Sequence, residues 1–105
     1  MERALEKILV RLEEIIFDVS EARVENGKII IMIEGVPSRE VSMLIKTESW
    51  KVDIRNEGGA MEITIEGEPK AIERDLDDIV MVITAAVLLT IPRFMASLLQ
   101  PLESG

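Results

Sequence analysis

The stretch "WKVDIRNEGGAMEITIE", Trp50 to Glu66, decides how this chain folds. Trp50, Val52 and Ile54 alternate with Lys51, Asp53 and Arg55, and Met61, Ile63 and Ile65 alternate with Glu62, Thr64 and Glu66. That is the period of two expected of half-buried strands. Placing Arg55 opposite Glu62 sets Lys51 opposite Glu66 and Ile54 opposite Ile63, so one register matches charges on one face and apolar groups on the other. Glu57 to Ala60 then forms the connecting loop. Its glycines belong to a hairpin, and "EGGA" lacks the pattern of a phosphate-cradling loop.

Working back from this hairpin, "EARVENGKIIIMIE" places Asn26 and Gly27 between two strand-compatible runs. Both residues tolerate the positive φ of a type I′ turn, which sets Glu25 opposite Lys28 and Val24 opposite Ile29. After "GVPSRE" the chain resumes with "VSMLIKTES". Strands are therefore expected at about 21–25, 28–34, 41–47, 50–56 and 61–66, in a meander of four or five antiparallel strands. In this arrangement Ile29, Ile31 and Ile33 share a core face with Val41, Met43 and Ile45. Ile30, Met32 and Leu44 turn to the charged face, where they are a candidate contact patch.

Helices flank the sheet. Leu5, Ile8, Leu9, Leu12, Ile15, Ile16 and Val19 recur at steps of three and four and predict an amphipathic helix over about 2–19. "GEPKAIERDLDDIV" opens a second, with Pro69 suited to its first position and acids in its early turns, where the helix dipole favours negative charge. It is expected to run over about 69–91, with Pro92 ending it and a short turn at 93–99. The fold class is a two-layer α+β domain spanning 1–105, in the order helix, antiparallel sheet, helix.

The second helix poses the main functional question, because "IVMVITAAVLLTI", Ile79 to Ile91, contains no charge. Ile72, Leu76, Ile79, Val80, Ile83, Val87 and Ile91 supply a core stripe. Met81, Val82, Ala85, Leu88 and Leu89 make a second apolar side where a surface helix carries charge, and a helix apolar all round is buried all round. A second copy of the chain is the economical source of cover, through an isologous twofold contact. The expected partner is thus another copy in a homodimer or higher homo-oligomer, with an unidentified further protein as an additional candidate. A membrane tether over 79–99 is the alternative. It carries Pro92 and Arg93 through a span that needs around 20 apolar residues.

Composition narrows the chemistry. A net charge of -8 repels phosphate backbones, so nucleic acid is not an expected partner. The chain has no histidine, cysteine or tyrosine, and aromatic residues make up only 3%. This removes the commonest general base, thiolate nucleophiles, disulfides and thiolate metal sites, and leaves few stacking platforms. No cofactor and no enzymatic activity are expected. A third alternative is a divalent-metal enzyme or binder using Asp75 and Asp78, one turn apart in "ERDLDD". The exposed turn at Ser38, Arg39 and Glu40 could recognise a carboxylate through Arg39. A charged N-terminus without an apolar signal run points to the cytoplasm, and abundant Glu beside scarce Asn, Gln, His and Cys is a pattern of thermophilic proteins.

In element order and charge sign the chain is similar to small acidic dimeric chaperones of the bacterial secretion type. Those chaperones usually carry another helix within the strand order, which is missing here. The resemblance implies a dimer that holds another protein.

Overall fold

The computed structural model describes residues 1–15 and 18–91. Its elements are α1 (Glu2–Glu14), β1 (Val19–Glu25), β2 (Lys28–Glu34), β3 (Val41–Lys46), β4 (Trp50–Glu57), β5 (Ala60–Gly67), α2 (Pro69–Arg74) and α3 (Leu76–Leu89). All strands pair antiparallel in one sheet. The α+β layout and the strand positions agree with the sequence pattern. The N-terminal helix is shorter than the expected 2–19, because the chain leaves it at Ile15 and Val19 already pairs with Ile33 in β1. The expected turn at 93–99 lies outside the described residues.

Both hairpin registers hold. Glu25 faces Lys28, Arg55 faces Glu62, Lys51 faces Glu66, and Ile54 faces Ile63. The turns are tighter than a four-residue loop, since Glu57 and Ala60 are themselves paired and only Gly58 and Gly59 connect them, both at positive φ.

The meander does not hold. The strand order is β1-β2-β5-β4-β3, so β2 pairs with β5 and the chain crosses from β2 to the far edge before returning through β3 and β4. Strands β2 to β5 thus form a Greek key. The crossing segment 35–40 passes over the β4–β5 turn. A Cβ on Gly59 would stand 3.0 Å from the carbonyl oxygen of Val36. Asn56, fully buried, pins the crossing by donating from Nδ2 to the carbonyl oxygens of Pro37 at 2.9 Å and Arg39 at 2.7 Å.

Burial explains why β2 and β5 are neighbours. Ile29, Ile31 and Ile33 of β2, Met61, Ile63 and Ile65 of β5, and Val52 and Ile54 of β4 are all buried, as interior strands require. The core-side residues of β1 and β3, including Ala22, Val24, Val41 and Met43, are only half-buried, as edge strands should be. The three helices cover this single face. Ala4, Leu5, Ile8 and Leu12 of α1 and Ile72, Ile79, Val80, Ile83, Ala86 and Val87 of α2 and α3 join the strands in one core.

The expected continuous helix 69–91 is interrupted at Asp75, whose φ of -100° and ψ of 28° end α2 and begin α3. Pro69 does occupy the start of α2. Gly67, just before it, has φ 150°, and a Cβ there would lie 2.4 Å from the carbonyl oxygen of Ser49. Only glycine lets the end of β5 pass so close to the start of β4.

Candidate functional site

The acidic run is taken up by the fold. Oδ2 of Asp75 accepts a hydrogen bond from the Trp50 indole at 2.8 Å and another from Arg74 at 3.1 Å. These two donors, Arg74 first, hold the Asp75 carboxyl below the usual carboxylate range. Oε1 of Glu73 lies 2.8 Å from Nζ of Lys7 and 3.3 Å from Nε of Arg3, while Asp77 pairs with Arg11. Residues 73 and 77 are one turn apart, as are Lys7 and Arg11, so the pairs form a ladder that clamps α1 to α2 and α3. Lys7 is the main reason the Glu73 carboxyl is also held low.

Asp78 is exposed on α3 and Asp75 is engaged elsewhere, so the two do not converge as the metal alternative requires. Among the described residues no group of three or more potential ligands gathers at metal-binding distance. The turn holding Ser38, Arg39 and Glu40 is exposed, and its backbone is the crossing strap that Asn56 grips.

The open face of the sheet is a set of cross-strand rows. One runs Glu25, Lys28, Glu66, Lys51, Lys46, and in it Glu66 contacts Lys51 at 2.9 Å and Lys28 at 3.1 Å. Those lysines, Lys51 foremost, hold the Glu66 carboxyl below its ordinary value. The next row runs Arg23, Ile30, Thr64, Asp53, Leu44. Ile30 and Met32 are therefore half-buried neighbours on β2, while Leu44 lies three strands away at the β3 edge. The meander would have put them side by side; the Greek key separates them.

Leu44 is 60% exposed, and Ile45, on the core side of the same strand, is 36% exposed. Above this edge α3 lies over β3 and β4, with α1 on its other flank over β1. The outward side of α3 presents Met81, 66% exposed, and Ala85, with Val82, Leu88 and Leu89 half-buried. The residues singled out on α3 thus lie off its core stripe; by helix geometry Val82 and Leu89 fall on the flank above the apolar β3 edge, while Met81 and Leu88 fall on the side of Asp77, toward α1. Sequence reasoning missed Ile45 and Met43 in this role because it placed β3 inside the sheet.

A shallow hollow of about 320 Å³ sits between α1 and α3, lined by Glu6, Lys7, Val10, Arg11 and Leu76. Its cations Lys7 and Arg11 are committed to Glu73 and Asp77. No helix among the described residues is long and apolar enough to cross a membrane. Residues 92–99 of the alternative tether lie outside the described residues.

No family model, no curated protein and no solved structure matches this chain. The resemblance to small dimeric chaperones accordingly rests on element order and charge alone.

Proposed function

We propose that this chain is a non-enzymatic, acidic protein–protein interaction module that works as a homo-oligomer, with the outward side of α3 at its contact. The observation that carries the reading is Met81, 66% exposed in the middle of a helix that has no charged residue from Ile79 to its end. A contiguous exposed apolar patch, here Met81 and Ala85 with the half-buried Leu88, marks an interaction site where a single exposed apolar residue does not. The missing histidine, cysteine and tyrosine support a binding rather than a chemical role.

The test is the mass in detergent-free buffer by light scattering coupled to size exclusion. Wild-type protein should run as a multiple of 11.8 kDa. Met81→Glu and Ala85→Glu, at exposed positions where the protomer tolerates charge, should shift the mass toward one chain with the far-ultraviolet dichroism unchanged. A wild-type monomer at high concentration would refute the oligomeric reading.

A further inference from the structure

The two edges of the sheet differ. β1 is guarded, with a register irregularity between Val19 and Glu21 and with Glu21, Arg23 and Glu25 facing outward, devices that keep an edge from pairing. β3 lacks the irregularity and the alternating charges. It is six residues long, contains no proline or bulge, carries Leu44 on one face and Met43 and Ile45 on the other, and has one charge, Lys46, at its end.

The free backbone groups of β3 follow from its pairing with β4. The Thr47 N–H donates to the Trp50 carbonyl at 2.8 Å, which makes these residues a hydrogen-bonded pair just beyond the ladder. In an antiparallel ladder such pairs alternate, so Ile45, Met43 and Val41 also bond inward to β4. The N–H and C=O groups of Ser42, Leu44 and Lys46 then point out of the sheet.

We infer that β3 pairs antiparallel with β3 of a second copy, about a twofold axis normal to the sheet at Leu44, giving a continuous ten-stranded sheet. This deepens the homo-oligomer reading and rests on it. With Leu44 on the axis, its outward N–H and C=O exchange bonds with their twins and Ser42 faces Lys46 of the other copy. On the core side Met43 meets Ile45 of the other copy, and on the open side the two Leu44 side chains cover each other. Every exposed apolar group of β3 gains a partner in this register.

The helix layer fits the same axis. Strands lie about 4.8 Å apart, so the axis stands about 2.4 Å outside β3. A helix centred between β3 and β4 lies about 5 Å from the axis, and its twin about 10 Å away, the separation of packed helices. Asp77 faces α1 through Arg11. At 100° per residue, Val82 and Leu89 are turned to the opposite flank, toward the twin, while Ala85 points outward from the sheet. β3 and α3 are each about 20 Å long and form two layers, so the contact is of the order of 600–800 Å² per partner, close to a standard interface.

The absence of native cysteine allows a register-specific test. A lone Leu44→Cys should form an interchain disulfide under mild oxidation, because a hydrogen-bonded antiparallel pair has Cα atoms about 5.5 Å apart. Met43→Cys should not, since it faces Ile45. Leu44→Lys, at a 60% exposed position, should keep its dichroism and fall to a single-chain mass. Cross-linking at 43 in place of 44 would overturn the register. A dimer that survives Leu44→Lys without cross-linking at 44 would overturn the β3 seam and leave the α3 contact standing. A wild-type monomer that cross-links at neither position would overturn both and leave the edge to a strand of a different protein.

Discussion

The Trp50 indole Nε1, at the start of β4, donates to Oδ2 of Asp75 across 2.8 Å, and so ties the sheet to the residue at which α2 gives way to α3. Trp50 is 6% exposed, so its indole N–H has little water to turn to. Asp75→Ala should lower the thermal midpoint by several degrees and shift the emission of this sole tryptophan, whereas Asp75→Asn, which keeps an acceptor, should preserve most of both. Equal effects of the two substitutions would remove the hydrogen bond as the cause.

Gly67→Ala forces a Cβ to within 2.4 Å of the Ser49 carbonyl oxygen at a φ of 150°. Backbone stands on both sides of the clash and cannot rotate away. The expected loss is about 2–4 kcal/mol in urea unfolding, at the upper end of single substitutions. Gly27→Ala is a useful contrast, since it has φ 73° but nothing within 4 Å, and should cost only about 1 kcal/mol.

Asn56→Ala removes both bonds that hold the strap between β2 and β3. A buried side chain with two donors in use should cost about 2 kcal/mol. Amide exchange should quicken in 35–40 before it does in β5, which would separate release of the strap from general loosening.

Acid sensitivity follows from three carboxylates held below their ordinary values, Glu66 by Lys51 and Lys28, Glu73 by Lys7, and Asp75 by Arg74 and Trp50. A carboxyl whose folded pKa is depressed stabilises the fold above its unfolded pKa, and that stability is lost as pH falls through the folded value. The unfolded values lie near 4, so the contribution is complete above about pH 5 and declines below about pH 4. Glu66→Gln should therefore flatten the dependence of the thermal midpoint between about pH 5 and pH 3. These groups face water, so 0.5 M salt should reduce the effect. An unchanged slope in the variant would remove Glu66 from the account.

What the sequence made legible was local. Asn26–Gly27 and Gly58–Gly59 fixed two hairpins, and the alternation of Lys51, Asp53 and Arg55 with Val52 and Ile54 fixed a register, because turn and strands are contiguous. The pairing of β2 with β5 was not legible, since "KIIIMIE" matches the alternation of either β3 or β5 and only burial in the assembled sheet chooses between them. The same holds for the candidate site. Glu73 and Asp77 read as dipole acids until α1, some 60 residues earlier, brings Lys7 and Arg11 against them. Asp75 reads as a possible ligand until Trp50 claims it. The apolar second side of α3 was legible because it is a property of one helix.

The Greek-key crossing also divides the sheet by the order in which its parts can form. β1 with β2, and β3 with β4 and β5, are two units of neighbours in sequence, each closing through short turns at little entropic cost. The seam between β2 and β5 joins residues such as Ile31 and Ile63 and closes only when the two units meet. This topology predicts that docking of the two halves limits the rate of folding. Truncation of a contact inside one half, such as Ile54→Val, should then chiefly slow refolding, because that contact is made before the halves meet, while truncation in the seam at Ile31 should divide its effect between refolding and unfolding.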